Sequence, residues 1–226
     1  WDQLRNTVCY NHLNVKLAGA HGGISVGPDG ATHQALEDVA LMRTLPGMTV
    51  VVPCDAIETY KATMALYDTP GPCYIRFGRE AVPVITDDDT PFVLGRNRLV
   101  RDGADVVYLA NGYLVYQAMW AAEKLADEGI SARVVDVHTV KPLDREDIIR
   151  HASETGAVVV CEEHQINGGL GSAVCEAVSE SVCVPVERIG VRDCFGESGS
   201  PEELIEKYGL GMDELCRAAR KVIARK

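Results

Sequence analysis

Short apolar, often β-branched runs alternate with stretches of helical spacing along nearly the whole chain, and this alternation narrows the choice of fold more than any other feature. Residues 15–18, 49–52 and 73–77 predict strands, while 35–44, through Leu36, Val39, Ala40 and Met42, and 57–67 predict helices. Strand and helix in strict turn argue for a parallel sheet covered by helices. Residues 83–91, with Asp87-Asp88-Asp89-Thr90 between two prolines, read as a linker. The alternation then restarts: strands are expected at 106–110, 132–137, 157–161 and 185–189, and helices at 114–128, 145–153, 171–181, 202–208 and 212–224. Ser200 before Pro201-Glu202-Glu203 predicts a capped helix start. Trp1, Leu4 and Val8 already have helical spacing with no Met or capping residue before them, so the chain is expected to open inside a helix and the natural protein to start earlier. The expectation is an α/β protein with an incomplete domain at 1–85, a linker at 86–97 and a complete α/β domain at 98–226. The second has the better claim to fold by itself.

Hydrophobic residues make up 46% of the chain and charged residues 24%, enough to bury a core under a solvated surface. The net charge of −11 and the lack of a dense Lys/Arg run argue against nucleic-acid binding. Arg96, Arg98 and Arg101 alternate along one expected strand and read as its solvated face. No apolar run reaches the roughly 18–20 residues that span a bilayer, and no signal peptide opens the chain. The eight cysteines are therefore read as reduced thiols of a cytoplasmic protein, most of them buried. None forms Cys-x-x-Cys, and no metal site is expected from this chain's own residues.

The chemistry is concentrated in residues 20–34, after one expected strand and before a helix. Four glycines, His21, Asp29 and His33 share this loop. In an open parallel sheet the crevice beyond the strand carboxyl ends is where ligands bind, glycines permit close backbone approach, and imidazoles suit proton transfer near pH 7. Taken alone, each residue has a plainer reading: His21 as a strand-end histidine bonded to backbone, His33 as a surface residue, Asp29-Gly30 as a turn, and Thr32 as a helix cap. Gly168-Gly169-Leu170-Gly171 lacks the Lys-Ser/Thr of a phosphate loop and reads as a strand-to-helix connection.

Gly27-Pro28-Asp29-Gly30-Ala31-Thr32-His33-Gln34 resembles the transketolase motif G-E-D-G-P-T-H-Q, departing at Pro28 and Ala31. The resemblance continues through Trp1-Asp2-Gln3-Leu4-Arg5-Asn6, Tyr74-Ile75-Arg76-Phe77-Gly78-Arg79-Glu80, Asp136-Val137-His138-Thr139-Val140-Lys141-Pro142-Leu143-Asp144 and Glu162-Glu163-His164-Gln165-Ile166-Asn167-Gly168-Gly169. It covers essentially the whole chain and is closest to the C-terminal subunit of two-protein transketolases. The implied fold is the end of a thiamin-diphosphate pyrimidine-binding domain followed by a transketolase C-terminal domain. The implied activity is transfer of a two-carbon ketol unit from a ketose phosphate to an aldose phosphate. By resemblance, His33 contacts the cofactor and moves a proton at the substrate oxygen. His21 acts with it and helps hold the substrate phosphate. Asp29 accepts a hydrogen bond from the hydroxyl beside the carbonyl, and Arg79 grips the phosphate, with Arg76 as the alternative. His138 and His164 carry no family role and read as structural, and His12 and His151 as surface residues.

The family glutamate in G-I-A-E-Q, the aromatic residues that stack on the pyrimidine, and the Gly-Asp-Gly to Asn motif for magnesium and diphosphate do not occur in this sequence. The resemblance thus implies that thiamin diphosphate and Mg2+ are completed by an N-terminal subunit carrying the diphosphate-binding domain, in a homodimer or heterotetramer, and that the chain alone is inactive. Rival expectations are 1-deoxyxylulose-5-phosphate synthase, the β subunit of a 2-oxo acid dehydrogenase first component, and a regulatory or binding module that kept the fold. Asp29 before Gly-x-Thr-His and Lys141-Pro142-Leu143-Asp144 favour transketolase.

Overall fold

The computed structural model describes residues 1–226. The first half runs β1 (Lys16–Gly19), α1 (Asp38–Arg43), β2 (Thr49–Val51), α2 (Ala56–Asp68) and β3 (Cys73–Arg76). The second half runs β4 (Arg98–Arg101), β5 (Val106–Ala110), α3 (Leu114–Ala126), β6 (Ala132–Asp136), β7 (Thr139–Lys141), α4 (Arg145–Thr155), β8 (Val158–Gln165), α5 (Leu170–Ser179), β9 (Val186–Val191), α6 (Pro201–Lys207) and α7 (Met212–Ile223).

Local chemistry sets the helix ends. Asp55 caps α2 by accepting the Glu58 N–H at 2.9 Å, and Glu58 accepts the Cys54 N–H at 2.7 Å in return. Asp144 and Ser200 cap α4 and α6, and Glu203 closes a full capping box at Ser200, as the Ser-Pro-Glu-Glu pattern predicts. Before β1, Leu4–Cys9 form a wide π-helical turn.

Two sheets result. In the first, β1, β3 and β2 are parallel in that order; in the second, β6, β5, β8 and β9 are parallel, with β4 antiparallel on the β6 edge. The sequence pattern does not announce β7. These three residues leave the second sheet and pair antiparallel with β2 of the first. The junction is bonded on both sides, with Val52 N–H on the His138 carbonyl at 2.7 Å and Gly112 N–H on the Val52 carbonyl at 3.3 Å. Helices α3 and α7 cover one face of the second sheet, and α4 and α5 the other. The cores cross the boundary: Ile24, Leu36 and Cys54 pack with Tyr108, Leu114 and Val191, while Val39, Leu45 and Val50 pack with Leu109, Val137 and Val160. A three-stranded fragment has too little surface to bury an interior of its own, and here it borrows one.

Several expectations need correction. The helix expected at 35–44 starts only at Asp38, because residues 35 and 36 stay extended: Ala35 bridges Gly22, and the Leu36 carbonyl accepts the Gln165 N–H at 2.8 Å. Thr32 therefore caps no helix. Arg98 is not on a solvated face; its guanidinium lies inward, 2.9 Å from Asp136 and 3.6 Å from Glu58, both buried. His151 is no surface residue but is 1% exposed, held between Arg133 and Asp147. His138 and His164 are buried as structural residues: His138 stacks on Phe92 and meets the Thr139 hydroxyl at 2.9 Å, and His164 bonds the Gln165 carbonyl at 2.7 Å. All eight cysteines are free, and five are buried. No helix is long and apolar enough to cross a membrane.

Candidate active site

The loop between β1 and α1 starts at the carboxyl edge of the first sheet, where β1 and β3 end side by side; the Phe77 N–H donates to the Gly19 carbonyl at 3.1 Å. His21 follows β1 and Arg79 follows β3, so two candidate residues distant in sequence emerge from one edge. Within the loop, Ile24–Asp29 form two 3-10 turns joined by a kink at Gly27, whose φ of 74° suits glycine and which lies against Pro201. His21 itself has φ of 60°, a left-handed conformation costly for a non-glycine residue and often met at functional sites.

The outer side of the loop is polar and open. His21, Pro28, Asp29, Thr32 and His33 are exposed. Arg79 and Asp29 meet in a 2.9 Å ion pair, and the same Arg79 nitrogen reaches the Val26 carbonyl at 3.3 Å. Both side chains keep about a third of their surface open to solvent (37% and 33%). The Thr32 hydroxyl meets His33 Nδ1 at 2.9 Å, which leaves Nε2 open at the rim. The structure thus brings Asp29 and Arg79 into contact and sets His21 and His33 on the same loop, without direct contact to that pair.

The two arginines between which the sequence left the choice open lie in different surroundings. Arg76 is 4% exposed, 3.1 Å from Asp38, and donates to the Ala35 carbonyl at 3.0 Å and the Glu163 carbonyl at 2.8 Å. These partners fasten the loop to the second sheet, whereas Arg79 is exposed at the rim.

The inner side of the loop is held by residues that sequence reading missed. Glu163, at the end of β8, accepts the Ser25 N–H at 2.6 Å. Gln34 donates to the Ile24 carbonyl at 3.1 Å and the Glu197 carbonyl at 2.9 Å. Burial pushes the Glu163 carboxyl above the usual range, against the pull of Arg76 and the Ser25 hydrogen bonds. The available signal was two consecutive acids closing an apolar strand, Val158-Val159-Val160-Cys161-Glu162-Glu163. Glu162 turns to α5 and accepts the Leu170 and Gly171 N–H groups at 2.7 and 2.8 Å. The glycine-rich turn before α5 is therefore a connection filled by the protein's own carboxylate, not a phosphate loop. Behind the active loop, a cavity of about 490 Å³ opens between the carboxyl ends of β2, β3 and β5, lined by Ser25, Val52, Phe77, Glu80, Tyr113 and Glu163 among others.

Cys54, Glu58 and Asp136 also converge, with donor atoms within 4.8 Å of one another. Arg98 already supplies a cation there, and its guanidinium lies 3.5 Å from the Cys54 sulfur. Burial and the neighbouring Glu58 raise the Asp136 carboxyl's pKa. The cluster is a buried ion-pair network rather than a vacant metal centre.

Comparison with known proteins agrees along the chain. Residues 1–84 match the family model of the transketolase pyrimidine binding domain, and residues 95–215 that of the transketolase C-terminal domain. The 6-deoxy-6-sulfo-D-fructose transketolase subunit of Clostridium sp. (strain MSTE9) is 46% identical over 225 residues, which covers 100% of this chain and 70% of that protein. An apulose-4-phosphate transketolase subunit of Phocaeicola vulgatus is 43% identical, over 98% of this chain and 71% of that protein. Among solved structures, a split gene transketolase described as an inactive beta4 tetramer superposes with a TM-score of 0.93 at 46% identity, covering 99% of this chain and 71% of that one.

Proposed function

Because the chain belongs to the transketolase family, we propose that it is the pyrimidine-binding part, residues 1–85, and the C-terminal part, residues 98–226, of a two-chain enzyme that transfers a two-carbon ketol unit between sugar phosphates. The carrying observation is the rim formed by exposed His21, Asp29, His33 and Arg79, with the carboxylate and guanidinium in contact at 2.9 Å. Each group has chemistry a ketose phosphate needs. Arg79 can grip the anionic tail with parallel N–H donors. Asp29 can accept a hydrogen bond from the hydroxyl beside the carbonyl, which penalises sugars lacking it. His33 can hold or release a proton at the carbonyl oxygen through Nε2, and His21 supports the phosphate. Because Arg79 and Asp29 are bonded to each other, an incoming anion exchanges one acceptor of Arg79 for another, and Asp29 is freed to face the sugar.

These residues fit one edge of thiamin diphosphate. His33 offers an imidazole nitrogen, but the carboxylates packed against the inner side of the loop are committed inward, Glu163 to Ser25 and Asp38 to Tyr74 and Arg76. A carboxylate for the pyrimidine ring, and the Mg2+-diphosphate site, would come from a second chain carrying the diphosphate-binding domain. The bound cofactor would supply the electron sink. Symmetric assembly as a dimer or heterotetramer is the natural form for a site shared between chains. The reading places the protein in cytoplasmic carbohydrate metabolism, near the pentose phosphates.

The relatives named above are described as acting on a sulfonated sugar and a sugar phosphate, two anionic tails that one guanidinium can serve. The test is a coupled assay of this chain mixed with a diphosphate-domain subunit. Donors are xylulose 5-phosphate, 6-deoxy-6-sulfofructose and apulose 4-phosphate, with ribose 5-phosphate as acceptor. Ketol transfer from at least one donor is expected. Pyruvate turnover instead would move the protein to the synthase or dehydrogenase branch, and turnover of none of these substrates would make it a non-enzymatic module.

A further inference from the structure

We propose that Glu163, on the second half of the chain, is a positioning residue for the substrate loop, and that the carboxyl edge of the second sheet serves as the mould in which this loop takes its shape. In a doubly wound sheet the crevice between strands whose connections run in opposite directions is normally where a ligand sits. Here the strands are β5 and β8, and the chain's own loop is bonded at this edge, beside the cavity lined by Ser25, Tyr113 and Glu163. Glu163 is 5% exposed and accepts the Ser25 N–H at 2.6 Å across 138 residues of sequence. The backbone beside it leaves no slack: at Gly23, with φ of 97°, an added Cβ would lie 2.3 Å from the Glu163 carboxyl carbon. The other end of the loop is fixed by the same strand, since Gln165 N–H donates to the Leu36 carbonyl at 2.8 Å. Arg76 fastens that same end to β8 by donating to both the Ala35 and the Glu163 carbonyls. His21, Asp29 and His33 are therefore carried on a loop pinned at Ser25 by a side-chain acceptor of β8 and at Leu36 by a main-chain donor of the same strand. Glu163 touches no substrate; it acts through the loop.

The acceptor oxygen is what matters, so Glu163→Gln and Glu163→Met separate the roles. Both fill nearly the same volume, but only Gln keeps an acceptor for Ser25 N–H; Met leaves a buried donor unpaired. Hydrogen exchange on the full chain is expected to show residues 22–25 opening about tenfold faster in Glu163→Met than in wild type, with Glu163→Gln within about threefold of wild type and β5, β8 and β9 unchanged in both. Equal behaviour of the two variants, or loosening of the whole second sheet along with the loop in Glu163→Met, would overturn the proposal. A kinetic arm rests on the proposed transketolase reading. In the assembled complex, Glu163→Met is expected to lower kcat/KM about 10–100-fold with partner affinity unchanged, and Glu163→Gln to restore most of it. Wild-type kinetics in Glu163→Met would likewise overturn the positioning role. A wild-type complex that transfers no ketol unit would sink the functional reading alone, and the exchange experiment would still decide the structural one.

Discussion

Asp29 and Arg79 sit half-open at the rim, bonded to each other. Arg79→Ala is expected to raise KM for a phosphorylated donor about tenfold or more, while leaving kcat within a few-fold, because a charge-assisted bidentate grip contributes about 1.5–3 kcal/mol. His33→Ala should do the reverse, lowering kcat by about 10²–10⁴ with assembly intact; steady-state kinetics of the two complexes separate these outcomes. A third test concerns His138, whose pKa burial and Arg98 hold below the ordinary value of 6.5. The folded state then binds fewer protons than the unfolded one, so the stability from this group is present above pH 6.5 and is lost as pH falls through the folded value. Glu163 and Asp136 are shifted upward instead, but they are common to wild type and His138→Gln. Wild type should therefore lose stability relative to His138→Gln as pH falls below 6.5, by at most about 1.4 kcal/mol per pH unit in urea unfolding. The four rim residues could be named from the sequence through motifs that resemble those of the family. Arg98 and His151 were not, since alternation along a strand or helix says which residues share a face but not what another part of the chain lays over that face.

At the scale of elements, most strands and helices fall where the sequence pattern puts them, and the exceptions share a cause. Residues 35–37 carry helical spacing yet remain extended, because the Gln165 N–H and the Gly22 bridge hold them there. Strand β7 is three residues long, too short for any periodicity to register, and owes its conformation to β2 beside it. In both places pairing with a distant segment overrides local preference. Helix α6 shows the opposite case, where local chemistry suffices. Its Ser200–Glu203 capping box was readable from four residues, and the helix leans on the Ile24–Asp29 turn of the active loop. Ser200→Ala is expected to cost about 1 kcal/mol, seen as a lower urea midpoint with an unchanged slope. Because α6 backs the loop, faster hydrogen exchange in 24–29 should accompany it.

The whole molecule is two sheets sharing their interiors, with one strand lent by the second half to the first. The two tryptophans report on separate halves: the Trp1 indole bonds the Leu41 carbonyl, and Trp120 lies on α3. Retaining one tryptophan at a time, by Trp1→Phe or Trp120→Phe, and following urea unfolding by fluorescence should give coincident transitions, because neither half can expose its share of the common core alone. Separate midpoints would show that the junction at β2 and β7 is weaker than its hydrogen bonds suggest.

The seating of the 20–37 loop against the end of β8 also constrains any attempt to graft a relative's loop onto this scaffold. Transplanting the loop from a relative would bring a key without its lock, since Ser25 and Leu36 are received by Glu163 and Gln165. A chimera that exchanges residues 20–37 together with 162–201, and keeps Arg76, would carry both sides of these contacts.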